Sequence, residues 1–178
     1  MEKRYLRAIQ HRNARIAVGG STLRGPGSTG AAKAAREFLG NLDLRPFGTA
    51  SPGRFAAHLD RITDRLRSAM PAKARQWGLS RKALNIFLRD CLYTTYLCDR
   101  YRLDRAEQFF EVPLDRICGD HLHRASGGVL PRWPGVRGLD PHTSALYQAV
   151  AATAASRARI PRVHLDAVWW GERDGADG

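Results

Sequence analysis

Apolar residues recur at intervals of three and four along most of this chain, the spacing of amphipathic helices. Tyr5, Ile9 and Ile16, with Ala8 beside them, mark a basic helix over residues 2–17. Residues 31–39 predict a short second helix that stops near Gly40. Over residues 52–70 the signal is strong: Phe55, Leu59, Ile62 and Leu66 share one face, and Arg61, Asp64, Arg65 and Arg67 lie on others. Ser80, a good N-cap residue, opens a long apolar helix to about Tyr101 that reads as the buried centre. Residues 103–110 predict a further turn or two, and Pro113, suited to a first helical position, opens a helix to about His123. Helices over 142–157 and 161–170 complete the set. Between them lie a glycine-rich loop (19–30), a connector with prolines and glycines (42–53) and an irregular stretch (127–141). The strand-like stretches at 15–20 and 127–130 have no pairing partner. The expected class is all-α, with two helical lobes around a cleft that contain a helix-hairpin-helix motif. One domain spans 1–171, and a frayed tail covers 172–178.

Composition adds a partner to that picture. The chain has 178 residues, 43% of them hydrophobic, enough for a sizeable core. Its 29 Lys and Arg against 17 Asp and Glu leave a formal net charge of +12. Such an excess repels itself in a compact fold, which points to a polyanion: DNA, RNA or an acidic membrane. An inert basic surface is the plain alternative. Three cysteines, Cys91, Cys98 and Cys118, are an odd, low count that argues against a disulfide framework and for a reducing cytoplasm. The charged first fifteen residues lack the apolar stretch of a signal peptide, and no run reaches the roughly 20 apolar residues of a membrane span. A soluble, cytoplasmic, nucleoid-associated monomer is expected.

Two stretches carry candidate chemistry. In Trp77-Gly-Leu-Ser-Arg-Lys-Ala-Leu-Asn85 a glycine turn enters a helix whose first residues are Ser80, Arg81 and Lys82. Unpaired N–H groups and the positive dipole of a helix start suit a DNA phosphate, so Gly78, Ser80 and Arg81 are expected to hold DNA backbone. An amine at position 82 meets that positive end beside Arg81, which favours its neutral, nucleophilic form. In Glu111-Val-Pro-Leu-Asp115 a carboxylate stands at the start of the next helix. There it can stabilise positive charge on a sugar ring, or take a proton from an attacking amine or water. The plain alternative makes Lys82 a phosphate contact and Asp115 a helix cap.

Together these stretches resemble the helix-hairpin-helix superfamily of DNA glycosylases. G-L-S-R-K-A-L-N resembles the hairpin that opens their catalytic helix, and V-P-L-D resembles the motif bearing their essential aspartate. The separation of Lys82 from Asp115 is similar to that of the archaeal 8-oxoguanine glycosylases. That group carries an Asp-x-x-x-Trp in its last helix, where this chain has Asp166 and Trp170, and a basic pocket residue where this chain has Arg89. The resemblance covers Trp77 to Trp170. It implies a base pocket of Asp166, Trp170, Arg89 and Ile86, duplex DNA with a modified base as partner, and an abasic site as product, with or without strand cleavage through Lys82. The chain departs from the group at Trp77, in place of proline, at Ser80, in place of a second glycine, and at Ile86, where the group stacks an aromatic ring on the base. The aliphatic Ile86 makes room for a bulkier base. The implied substrates are therefore 8-oxoguanine, in repair, or glucosylated hydroxymethylcytosine of phage DNA, which some bacterial members of the superfamily excise in defence. No cofactor is expected, because the iron–sulfur cluster of the endonuclease-type members needs four cysteines. A non-enzymatic DNA-binding module and a helical RNA-binding protein remain alternatives.

Other suggestive patterns weigh less. Cys118, Asp120, His121 and His123 cluster, but only Cys118 and His121 have helical ligand spacing, so no metal site is expected. Residues 25–30 spell G-x-G-x-x-G without the strand a dinucleotide site requires. Thr22 and Arg24 are better read as a DNA-facing loop. Asp166 and Trp170 also fit a purely structural i, i+4 pair, and Trp169 reads as packing.

Overall fold

The computed structural model describes residues 2–19, 22–23 and 30–174, with side chains through Trp169. Among the described residues every regular element is helical. In order they are α1 (Lys3–Ala17), α2 (Ala31–Gly40), α3 (Pro52–Ala69), α4 (Trp77–Tyr93), α5 (Thr95–Tyr101), α6 (Arg116–Ala125), α7 (Gly135–Gly138), α8 (Pro141–Ala158) and α9 (Leu165–Asp174). Short 3₁₀ segments at Arg45–Phe47, Ala72–Ala74, Leu103–Phe109 and Arg162–His164 fill the joints. The expected all-α class is what the chain adopts.

Two apolar clusters form the interior. The larger joins α1 to α5 and contains Leu39, Phe47, Phe55, Leu59, Leu66, Leu84 and Phe87. The smaller joins α6, α8 and the start of α9 through Val112, Leu114, Leu122, Tyr147 and Leu165. Fully burying each such side chain contributes about 1.5–3 kcal/mol. The N-terminal end of α4 spans both clusters, since Trp77 packs on the smaller one and Leu79 belongs to the larger. No described helix is long and apolar enough to cross a membrane.

Several boundaries differ from expectation, each for a local reason. Gln76 has extended backbone, and α4 begins directly after it, so Ser80 lies one turn inside. Instead of capping, its hydroxyl donates to the Gln76 carbonyl (3.2 Å). The long helix does not reach Tyr101 unbroken. Thr94 turns extended and separates α4 from α5. Its hydroxyl donates to Asp90 O (2.7 Å) and accepts from Asn13 of α1 (2.8 Å), which compensates for the break. Pro113 does not open α6; the cap is Asp115 and the helix starts at Arg116. At the other end α9 runs to Asp174, past the expected start of a frayed tail.

One buried polar cluster sets how α4 is turned. Arg81 is 6% exposed. Its Nε and Nη2 donate to the two Glu111 oxygens, both at 2.8 Å. Its Nη1 donates to Asp60 and to Thr63 of α3, both at 2.9 Å, and its guanidinium lies over the Trp77 ring. Asn85, one turn on, donates to Glu111 (2.9 Å). Burial alone would push the Glu111 carboxyl up; the Arg81 guanidinium outweighs it and holds the group below the ordinary glutamate value. Beyond Glu111 the chain runs without regular structure to Asp115, and Gln148 of α8 clamps Val112 by donating to its carbonyl (2.8 Å) and accepting from its N–H (3.2 Å).

Removing one partner of such a pair strands a buried charge. Arg81→Met is expected to cost about 3–5 kcal/mol in urea denaturation, and Arg81→Met/Glu111→Leu to recover most of it. A loss under about 1 kcal/mol in the single variant, the range of an exposed pair, would show that the pair does not hold α4. Because the folded Glu111 value is depressed, its stabilisation is present above the ordinary glutamate range. It is lost as pH falls through the folded value, so the double variant should show a flatter acid limb.

Candidate functional site

With Arg81 and Asn85 turned toward Glu111, a different stripe of α4 faces a cavity. Lys82, Ile86, Arg89, Asp90 and Tyr93 stand at i, i+4, i+7, i+8 and i+11, one helical face. All five line a cavity of about 680 Å³. Thr22, Pro113, Asp115, Arg116, Ile117, Val136, Asp166 and Ala167 form the rest of its wall. The volume is in the range of small-molecule sites. Sequence reasoning had named six of these residues: Lys82, Asp115, Ile86, Arg89, Asp166 and Thr22.

Asp115 divides its two oxygens. Oδ1 caps α6 by accepting from the Ile117 and Cys118 N–H groups (2.9 and 3.1 Å). Oδ2 lies 3.8 Å from Lys82 Nζ. Both side chains are mostly buried yet reach the cavity. At 3.8 Å the two form an ion pair without a direct hydrogen bond, so a third atom between them can be touched by both. Lys82 is the sixth residue of α4, not in its first turn, and the field of a helix end fades within that turn. Arg81 is neutralised by Glu111 and Asp60. Its expected activation by helix end and neighbouring arginine therefore has no structural basis; what stands next to the amine is the Asp115 carboxylate.

The far wall is a second charged group. Arg89 donates through Nη1 to Asp166 and through Nη2 to Asp90 (2.9 Å). The Cys118 thiol donates to the other Asp166 oxygen (3.4 Å). Burial pushes the Asp166 carboxyl up against the pull of Arg89, and pushes Asp90 up likewise. Burial, with Asp166 and Asp115 close by, drives the Cys118 thiol well above its ordinary value. Three carboxylates thus face three cations: Asp90, Asp115 and Asp166 against Lys82, Arg89 and Arg116. The charged groups that line the cavity balance, and the rest of its surface is mostly apolar.

The expected backbone-binding residues are placed elsewhere. Gly78 and Ser80 are buried inside α4, and a Cβ at Gly78 would run into the Val136 carbonyl and Leu139. Gly78 thus serves the close approach of α7. Arg81 is the interior ion-pair residue described above. None of the three is placed to meet a phosphate, because all are buried within α4. Thr22 is a wall residue whose hydroxyl donates to Ala17 O (2.8 Å). Arg24 and the Trp170 side chain lie outside the described residues. Trp169 packs on the smaller cluster and stacks on His121 (5.2 Å between centroids). Among the described residues no group of three His, Cys, Asp or Glu side chains is placed to hold a metal ion.

Tyr93 was missed. It brings an aromatic ring to the cavity seven residues beyond Ile86, stacked on His164 (5.5 Å) and sharing a hydrogen bond with its Nδ1 (2.8 Å). The i, i+7 spacing was the available signal. Trp77, where the resembled family has proline, is explained by its ring under Arg81. Comparison of the chain with protein-family models, with curated proteins and with solved structures gives no match.

The geometry makes Cys118 inert. Treated with iodoacetamide at neutral pH, the native protein should leave Cys118 unmodified until denaturant unfolds it, since the reactive form is the thiolate. Rapid native alkylation, located by peptide mass, would contradict the buried thiol–carboxylate contact.

Proposed function

We propose that this chain is a DNA glycosylase that extrudes a modified base from duplex DNA and cleaves its N-glycosidic bond, with Asp115 and Lys82 as the reacting pair. The observation that carries this reading is the 3.8 Å approach of Lys82 and Asp115 on the wall of a 680 Å³ cavity. The +12 charge supplies the affinity for DNA, and extrusion is needed because the bond is out of reach inside a stacked duplex. A balanced set of carboxylates and cations suits a neutral, polar base and leaves phosphates outside. Tyr93 offers a ring face for the base, the role Ile86 cannot fill. The connection of Met70–Gln76 between the packed helices α3 and α4 takes the place of the family's hairpin. Lys73 and Arg75 are exposed there, and no side chain caps the first turn of α4.

In the hydrolytic route the C1′–N bond breaks and its electron pair leaves with the base, which is protonated from solvent. Positive charge on the sugar is held by Asp115 Oδ2. A water oxygen bonds to C1′ and passes its proton to the carboxylate. In the lyase route Lys82 gives a proton to Asp115 and its nitrogen bonds to C1′ as the base leaves with the electron pair of the C1′–N bond; the amine then loses a second proton, the C1′–O4′ bond opens with its oxygen taking up a proton, and the resulting imine allows β-elimination that expels the 3′-phosphate and cleaves the strand.

The test is a panel of duplexes carrying oxidised, deaminated, alkylated or glucosylated bases, assayed for abasic sites. Asp115→Asn keeps a good helix cap and should bind the responsive duplex while releasing base about 10²–10⁴-fold more slowly. Full activity in Asp115→Asn, or no release from any duplex, would overturn the reading. Borohydride trapping distinguishes the routes: a covalent adduct that Lys82→Gln abolishes marks the lyase.

A further inference from the structure

The exposed face of α1 contributes no residue to the cavity, and the helix itself carries no acidic residue. Lys3, Arg7, His11 and Arg15 follow i, i+4, i+8 and i+12, one row along the helix, and Arg4 and Arg12 lie on the adjoining row. Lys3, Arg4, Arg7, Arg12 and Arg15 are all exposed, and α1 contains no acidic residue. Among the described residues none of these five stands in an ion pair; Arg7 donates to the neutral Asn41 side chain (2.8 Å). Arg45, Arg67, Arg81, Arg89 and Arg102 each face a carboxylate.

These charges work against their own helix. Lys3 and Arg4 occupy its first turn, the positive end of the dipole. Lys3 and Arg7, and Arg12 and Arg15, are like-charged neighbours at i, i+4 and i, i+3. Stability does not account for them, whereas a polyanion does. The opposite face is already used. Leu6, Ala14 and Ala17 are buried in the larger cluster, and Gln10 donates to the carbonyls of Leu39 and Leu42 (3.0 and 2.8 Å). An interfacial membrane helix would need that apolar face free.

The underside also fixes where the row leads. Asn13 donates to Asp90 O (3.1 Å), and both Asp90 and Thr22, just beyond the helix end, line the cavity. From Arg15 at the cavity end to Lys3, twelve residues of α-helix cover about 18 Å. At about 3.4 Å per nucleotide of one strand, that is room for about five phosphates.

We propose that α1 is a phosphate track that holds the DNA backbone flanking the extruded nucleotide. The partner is duplex DNA, and the assignment of the extruded nucleotide rests on the glycosylase reading. The track contributes salt-dependent affinity without base recognition.

The test is fluorescence anisotropy of an unmodified, fluorescein-labelled duplex over a range of salt. In Lys3→Gln/Arg4→Gln/Arg12→Gln/Arg15→Gln the plot of log K against log salt should become shallower by about 3–4, about 0.9 for each phosphate that is no longer neutralised. The single variants Arg12→Gln and Arg15→Gln should each lower the slope by about one, so a misfolded quadruple variant does not decide the matter. Unchanged slopes overturn the track. So does a quadruple variant that keeps its DNA slope and loses binding to phosphatidylserine vesicles, which assigns α1 to a membrane surface. Reduced slopes in a protein that releases no base from any duplex support the track and refute the glycosylase reading.

Discussion

The bond between Arg81 and Glu111 decides which way the central helix faces. Apolar burial is non-directional, and α4 has apolar residues around much of its circumference: Leu79, Ala83, Leu84, Phe87, Leu88 and Cys91 are all buried. Core packing alone tolerates more than one rotation of such a helix. A bidentate guanidinium–carboxylate contact does not, because both N–H vectors must meet both oxygens. Once Arg81 and Asn85 point at Glu111, helical geometry sends Lys82, Ile86, Arg89 and Tyr93 to the adjoining face. The same carboxylate begins the irregular stretch that ends at Asp115, with Gln148 holding its middle. Both halves of the proposed reacting pair therefore descend from one interior ion pair, next to Lys82 on one side and four residues before Asp115 on the other.

Charge is distributed in two regimes. Inside the cavity Lys82 answers Asp115, and Arg89 answers Asp90 and Asp166, as desolvated groups require, with the exposed Arg116 at the edge. On α1 five cations go unanswered among the described residues, which only water and salt make tolerable. The division matches the two parts of a nucleotide. An anionic phosphate gains from the unpaired surface and is repelled by Asp90, Asp115 and Asp166. An uncharged base gains hydrogen-bonding partners in the cavity and little from the surface. A protein that simply coated DNA would have no use for the first regime, and an enzyme for small neutral ligands would have no use for the second.

What was legible in the sequence is what depends on near neighbours. The helical class and most helices follow from spacings within a few residues, whereas the start of α6 was expected at Pro113 and its cap at Asp115 was only one of two readings. The three motifs found Lys82, Asp115, Arg89 and Asp166, and these do line one cavity. What was not legible depends on distant residues. Arg81 looked like a phosphate ligand because its partner lies 30 positions away, and nothing local distinguishes an arginine bound to a carboxylate from one facing solvent. Gly78 looked like a hairpin turn because a glycine demanded by the approach of α7, some sixty residues on, reads the same way. The break at Thr94 is held by Asn13, 81 residues earlier. Tyr93 was hidden by attention to position 86 alone, although the face it shares with Ile86 was readable.

The division of labour within Asp115 favours chemistry over mere capping. A cap needs one oxygen, and Oδ1 supplies it to two N–H groups. That anchorage removes the side chain's freedom to rotate, so Oδ2 is held in one direction, toward Lys82, without further cost in ordering. The ordering of α6 is thus what aims the second oxygen. An asparagine or serine would cap α6 comparably, and neither would present an anion to the cavity. A carboxylate there answers the Lys82 ammonium across 3.8 Å, and under the proposed function the same anion would meet positive charge as a bond to carbon opens.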